Sequence, residues 1–343
     1  MRPIFSESRI VITTNTLDGG GAERQRVTLA NELAALGHNV TIRCLQRKGP
    51  LAEDVSEQVN LEILGWRELD QRPALAVITG TTNTEVATGL TYKLGRNRAK
   101  WLIVVHNPVQ PPAPKLSPFA RRGLRFADSI AGLTEKHCDD LRKYWRLDTK
   151  VALGNGLTGV ASTTTNAADE HIVYPEFDIG YLGRMSKEHK GLDRLFDALQ
   201  VLRSKHYRVV LAGDGPDRTW AMERAKALPQ HQFTFLTHAV PSKLLPQLKC
   251  LVMLSRYEAQ PMVLMEAELA NIAVLATRAT GTEPSERVWI LRDGATTNEV
   301  ATSIIARVDR TWSGQSTRPQ TARQMAIEYM NHIKSISPEN SWS

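Results

Sequence analysis

The sequence predicts an α/β protein made of two doubly wound, parallel-sheet lobes. Three observations predict it. The chain has 343 residues, more than one domain of usual size needs. From Arg9 onward, short apolar runs alternate with stretches of helical period. That alternation pauses at residues 161–171, ASTTTNAADEH, which are small and polar with no apolar period, and then restarts.

The first lobe, residues 1–160, begins with the β-branched run RIVITTNTL. The glycines of DGGGAER break it, and ERQRVTLANELAAL follows with Leu29, Leu33 and Leu36 at helical spacing, closed by Gly37. NVTIRCL is the next strand, so the unit is βαβ and its sheet parallel. ALAVITG and KWLIVVH read as further strands and DSIAGLT as a weaker one. A helix is expected from about Glu135 to Tyr144.

A linker is expected over 161–175. In the second lobe, residues 176–320, FDIGYLGR is a strand. GLDRLFDALQVLRSK is a helix with Leu192, Leu195, Phe196, Leu199 and Leu202 on one face. RVVLAGDG, FTFLTHA, CLVMLS, AVLATRAT and VWILRDG are strands. Helices are expected near Trp220–Ala227, in SKLLPQLK and in MVLMEAELA. Residues 321–343 carry a final amphipathic helix, TARQMAIEYMNHIKSI. Ligands of doubly wound sheets bind at the carboxyl ends of the strands, in this case in a cleft between the lobes.

Composition narrows the function. Apolar residues make up 42% and charged residues 23%, an ordinary globular balance. Cys44, Cys138 and Cys250 are far apart and odd in number, which argues for a reducing compartment and against a disulfide framework or a zinc site. The N-terminal residues lack the apolar core of a signal peptide, and no apolar run approaches the ~18 residues of a membrane span. A cytoplasmic protein is expected. The net charge of +7 invites a nucleic-acid reading, but no nucleic-acid module accompanies it, so none is expected as partner. Basic residues concentrate from Lys115 to Lys150, including Arg121, Arg122, Arg125, Arg142, Lys143 and Arg146. They form either a solvated helical face or a patch that holds an anionic acceptor or anionic lipid at the inner membrane face.

Four segments carry candidate chemistry. In SRYEAQPMVLMEAELA, Pro261 suits a first helical position. That places Glu258 in a strand-to-helix loop and Glu266 a turn or more into the helix. Ionised carboxylates there can accept sugar hydroxyls, and the amides of Met262 and Val263 can face an anion; the bland alternative is a helix-start charge and a solvated surface residue. In YLGRMSKEHKGLDRL, Arg184 just beyond a strand and Lys190 just before a helix can clamp a diphosphate; the bland alternative is a polar loop that caps a helix. In DGGGAER, Gly20 and Gly21 allow close backbone approach to a phosphate or sugar. A dinucleotide fingerprint would need a glycine where Arg24 stands and an acid at the end of the second strand, so a nicotinamide enzyme is disfavoured. His106 ends an apolar strand and is either a sugar or acceptor contact or a hydrogen-bonded edge histidine. The HCDD run at 137–140 is not read as a metal site, because adjacent helical residues diverge.

With these segments in place, the chain resembles the family 4 glycosyltransferases, retaining enzymes of the GT-B fold, from about Arg9 to Glu286. The motifs come in the family's order: GGAER at 20–24, NG at 155–156, GR and KG at 183–184 and 190–191, LAGDGP at 211–216, and the pair Glu258 and Glu266. Ala259 and Asn271 stand where the family usually has glycine, and the segment after Gly281 is compressed. The resemblance implies a nucleoside-diphosphate sugar donor, UDP being the commonest, and a glycan or lipid-linked acceptor. It implies Arg184 and Lys190 on the diphosphate, Glu266 on the ribose, and Glu258 and His106 at the sugar, with Gly20 and Gly21 near the phosphate. It implies no metal or cofactor. It further implies a C-terminal helix that returns to the first lobe. The expected activity is transfer of a sugar to a glycan, glycolipid or other cell-surface polysaccharide precursor. The alternative is a non-catalytic nucleotide-sugar binder on the same fold.

Overall fold

The computed structural model describes residues 9–64, 73–95, 99–111, 113, 115–158, 173–310 and 319–337. The sequence-predicted linker lies largely outside them. The chain divides into two compact units, Met1–Ala161 with Gln320–Ser343, and Ser162–Pro319.

The first unit is built on β1 (Arg9–Thr16), β2 (Asn39–Arg47), β3 (Asn60–Ile63), β4 (Ala76–Thr79), β5 (Lys100–Val104), β6 (Ser129–Gly132) and β7 (Val151–Ala152). Their order across the sheet is β3-β2-β1-β4-β5-β6-β7, and every pairing is parallel. Helix α1 (Gly21–Ala35) follows β1, α2 (Asn83–Leu94) follows β4, α3 (Pro118–Gly123) precedes β6, and α4 (Glu135–Asp140) continues into a π-helical turn, Leu141–Trp145. Gly37, with φ +90, terminates α1 in a conformation that other residues rarely adopt.

Helix α2 was not expected from the sequence. Its buried face carries Glu85, Thr88 and Gly89 beside Val86 and Tyr92, so an apolar period is weak there. It is fixed instead by a capping box, in which the Thr82 hydroxyl accepts from the Glu85 amide and Glu85 reaches back to the Thr82 amide. Buried Glu85 also meets Arg26 of α1 at 2.7 Å.

The second unit holds β8 (Phe177–Leu182), β9 (Arg208–Ala212), β10 (Gln232–Leu236), β11 (Leu248–Met253), β12 (Ala273–Thr277) and β13 (Val288–Leu291) in the order β10-β9-β8-β11-β12-β13. All its pairings are parallel as well. The helices are α5 (Lys187–Lys190), α6 (Leu192–Val201), α7 (Arg218–Lys226), α8 (Pro241–Leu244), α9 (Met262–Leu269) and α10 (Thr297–Val308). Alternate strand residues face opposite layers. Val209, Leu211, Cys250 and Val252 pack with α6, α7 and α10, whereas Val210, Ala212, Leu251 and Met253 pack with α8 and α9. Helix α10 also went unread, although Thr296 and Glu299 form a second capping box.

The last helix, α11 (Ala322–Ile336), lies in the first unit and packs on α1. Leu157 pairs with Thr321 at its start. Nearby, the buried Gln25 amide donates to the Gly156 carbonyl and accepts from the Gly156 amide, both at 3.0 Å. The NG segment at 155–156 is thereby tied to α1.

Candidate active site

In the second unit, β8 and β11 are neighbours, but the chain leaves β8 towards α6 on one face and leaves β11 towards α9 on the other. Their carboxyl ends therefore border the topological switch point, where the diverging connections leave a crevice. Arg184, Lys190 and Glu258 all come from the two loops that open there.

Glycines bring those loops together. Gly213, at φ +133, turns the end of β9, and a Cβ there would stand 2.1 Å from the Gly183 carbonyl oxygen. The LAGDGP turn thus lies directly on the loop that carries Arg184, and the Met185 amide donates to the Asp214 carbonyl at 2.8 Å. Gly191, at φ +64, seats the start of α6 against β11, since a Cβ would stand 2.0 Å from the Leu254 carbonyl oxygen. Both motifs are therefore close-approach devices as well as turns.

The result is an ion pair between two residues singled out in the sequence. Lys190 Nζ lies 2.5 Å from Glu258 Oε1, and the Ser255 hydroxyl donates to the same oxygen at 2.8 Å. The Glu258 side chain is 8% exposed and that of Lys190 18%. Burial alone would raise the Glu258 carboxyl, but neighbouring His189 and Lys190 together outweigh it and hold it down at about 2. Glu258 is an anion throughout the neutral range. His189 Nε2 stands 3.8 Å from Glu258 Oε2, longer than a hydrogen bond, so its influence is that of a close polar neighbour.

Arg184 is exposed and has no acidic partner among the described residues. Its position is set through the backbone, with the Tyr181 hydroxyl donating to the Arg184 carbonyl at 2.6 Å. Helix α9 begins at Met262. Pro261 is extended, ψ 122, and precedes the helix instead of opening it, a shift of one residue from the sequence reading. A proline side chain cannot cap, so the amides of Met262 and Val263 lie in an uncapped first turn. Glu266 is half-buried one turn further along α9. Asn271, where glycine is usual in the resembling family, takes φ +58 after α9, and asparagine is among the few residues that tolerate that conformation.

In the first unit, Gly20 caps α1 and Gly21 opens it, and the backbone strain falls on neighbouring Gly19 at φ +116. His106 follows β5 and lines a small cavity with Gln25, Arg26, Thr79 and Tyr329. Desolvation, then Arg26 and His137, hold the His106 ring down to about 3, so it is neutral imidazole at physiological pH. His137 is structural: its Nδ1 accepts from the Leu133 amide at 3.2 Å, and its Nε2 lies 3.1 Å from the Asn107 carbonyl oxygen. No group of three potential metal ligands occurs among the described residues.

Sequence reasoning missed His189 and Arg256. The His189 ring stacks on Tyr257 with centroids 4.4 Å apart and planes 7° from parallel. The Arg256 guanidinium pairs with both oxygens of Asp193 at 2.8 and 2.6 Å and donates to the Lys187 carbonyl. The Arg256 amide donates to the His189 carbonyl at 2.8 Å. Together these contacts lock the loop after β11 to α5 and α6. The run EHK at 188–190, facing RYE at 256–258, was the available signal, but only the fold sets the two against each other.

The two parallel α/β units define a GT-B-like protein. The chain superimposes on Anabaena Alr3699/HepE, solved in complex with UDP and glucose, at a TM-score of 0.69 with 16% identity, covering 96% of this chain and 97% of that one. A glycosyltransferase from Rickettsia africae matches at a TM-score of 0.71 with 15% identity, covering 98% and 100%. Residues 176–309 match the family model of glycosyl transferases group 1. The amylovoran biosynthesis glycosyltransferase AmsD of Erwinia amylovora is 20% identical over 284 residues, 78% of this chain and 80% of AmsD. The second unit thus matches the group 1 glycosyltransferase family, and the chain as a whole has the GT-B-like fold of these structures.

Proposed function

We propose that this transferase moves a sugar from a nucleoside-diphosphate donor, a UDP-sugar, to a glycan, glycolipid or other precursor of a cell-surface polysaccharide. The proposed transfer retains anomeric configuration and uses no metal. The observation that carries it is the pairing of Lys190 with Glu258 at the switch point, on the loops one of which also carries Arg184. Two cations and a buried carboxylate there match a diphosphate-linked sugar, the anion on Lys190 and Arg184 and the hydroxyls on Glu258. Glu266 is the candidate for the ribose hydroxyls, and the α9 amides of Met262 and Val263 are candidates for the phosphate. Gly20 and Gly21 are candidates for the phosphate and His106 for the sugar, with the first unit on the acceptor side. UDP is supported by the ligand of HepE, and polysaccharide synthesis by the role of AmsD.

In the reaction, the acceptor hydroxyl oxygen bonds to the anomeric carbon on the face from which the phosphate leaves. The anomeric C–O bond to phosphate breaks, and the hydroxyl proton passes to the departing phosphate oxygen. Negative charge grows on that oxygen in the transition state, so the cations that bind it also lower the barrier.

A basic surface in the first unit supports a membrane-facing acceptor. A groove of ≈ 590 Å³ at the amino end of β6 is lined by Arg121, Arg125, Arg146 and Lys150 against Asp128 and Asp148, and Phe119, Phe126 and Tyr144 are exposed nearby in sequence. Arg121, Arg122, Arg125 and Arg146 have no acidic partner among the described residues. Among the described residues no helix is long and apolar enough to cross a membrane.

The test is proton NMR of the protein with a panel of nucleoside-diphosphate sugars. Slow donor hydrolysis should release sugar whose first-formed anomer matches the donor, and Lys190→Ala should lower that rate by about 100-fold or more. Turnover of none of the panel, or release of the opposite anomer first, would defeat the proposal.

A further inference from the structure

Lys190 and Glu258 neutralise each other in the empty site, and the proposed donor chemistry asks each for something different. Lys190 is to meet phosphate, and Glu258 is to meet sugar hydroxyls. Arg184, Lys190 and Glu258 together carry one net positive charge. A doubly ionised diphosphate set among them turns that into one net negative charge. Glu258 is buried, so an uncompensated anion beside it is costly. Something must supply positive charge as Lys190 turns to the phosphate.

The structure holds one group in the right place. His189 Nε2 is buried and has no hydrogen-bond partner among the described residues, and it points at the Glu258 oxygen that Lys190 does not use, Oε2, from 3.8 Å. The ring is held by its stack on Tyr257. Its backbone is pinned at both ends, the amide donating to the Ser186 hydroxyl and the carbonyl accepting from the Arg256 amide. A movement of under an ångström would bring Nε2 into hydrogen-bond range of Oε2. The charged groups on α5 and on the segments bonded to it are Lys187, Glu188 and Lys190, with Asp217 ahead of α7 paired to Lys187 and Asp193 of α6 paired to Arg256. Tyr181 of β8 and Arg256, Tyr257 and Glu258 of the loop after β11 complete the set. Arg256 is occupied by Asp193 and Lys187 by Asp217, and histidine is the side-chain type whose charge proteins switch in this pH range.

We infer that donor binding hands Glu258 from Lys190 to His189: the Lys190 ammonium turns to the diphosphate, and His189, protonated from solvent, closes on Glu258 Oε2. His189 is a positioning residue, acting on the sugar through Glu258. The inference rests on the donor reading proposed above and makes a claim of its own, that binding takes up a proton. Affinity must then fall as pH rises through the imidazole range, by at most about tenfold per pH unit for one proton.

The experiment is calorimetric titration of the full chain with UDP-glucose, whose diphosphate stays fully ionised in this range, in buffers of different ionisation enthalpy between pH 6 and 8.5. Wild type should absorb close to one proton in the upper part of that range. His189→Gln, which keeps an N–H donor but cannot titrate, should bind without uptake and with an affinity flat in pH. Binding by wild type without proton uptake, or equal uptake by the variant, overturns the hand-over while leaving the donor reading intact. Failure of wild type to bind UDP-glucose or any other nucleotide sugar overturns both. The wild-type measurement stands alone if His189→Gln does not fold.

Discussion

Replacing Lys190 by methionine removes the charge from a pair whose other member stays buried. Glu258 sits at about 2, against an ordinary value of 4.5. At ~1.4 kcal/mol for each tenfold change in protonation equilibrium, that depression, to which His189 and Lys190 both contribute against desolvation, corresponds to roughly 3 kcal/mol as the net of all its causes. It agrees in size with the ~3–5 kcal/mol seen when one partner of a buried pair is deleted. Because the folded value lies below the unfolded one, this contribution is fully present above pH 4.5 and is lost as pH falls through about 2. Urea unfolding, followed by fluorescence of Trp220 and Trp289 in the second unit, should show Lys190→Met less stable by about 3 kcal/mol at pH 7. Its deficit should narrow as the pH is taken down towards 3. The double variant Lys190→Met/Glu258→Gln leaves no stranded charge and should recover most of the loss. A single variant within about 1 kcal/mol of wild type, or a double variant no better than the single, would refute the buried-pair argument.

Other outcomes follow from the same structure. Gln25→Leu should cost about 3 kcal/mol in urea unfolding of the first unit, because it leaves the buried amide and carbonyl of Gly156 both unpaired. His106 is already neutral well below physiological pH, so no change in turnover between pH 5 and 8 should trace to it. The pH–rate profile of His106→Asn, whatever its height, should have the shape of wild type. Vesicles containing anionic lipid should sediment the protein at low salt and release it at high salt, and Arg125→Glu/Arg146→Glu should abolish that binding without changing donor hydrolysis.

Much of the site was legible because glycine and apolar runs mark strand ends plainly. FDIGYLGR and CLVMLS each read as a buried strand followed by a turn, and the residues after them, Arg184, Lys190 and Glu258, lie at the carboxyl ends of β8 and β11. Which strands are neighbours is a property of the sheet. The sequence therefore could not show that Lys190 and Glu258 touch, nor that His189 stacks on Tyr257 across two loops. Helices α2 and α10 were missed for different reasons. The inner face of α2 is polar, stabilised by the Arg26–Glu85 pair across to α1, so no apolar period announces it. The period of α10 is present at Val300, Ile304 and Val308, and T-x-x-E before it was a readable capping signal. Strand β3 is four residues long, partly exposed and at the sheet edge, where alternation has least reason to be strong.

The proposed transfer depends above all on the cations of the second unit grasping a diphosphate. Calorimetry of wild type and of Arg184→Ala/Lys190→Ala with UDP and with uridine tests this most directly. UDP should bind wild type at least about 100-fold more tightly than uridine, a gap of roughly 2.7 kcal/mol, and the double substitution should close it. Equal affinity for UDP and uridine in wild type, or a preference for UDP that survives the loss of both cations, would contradict it.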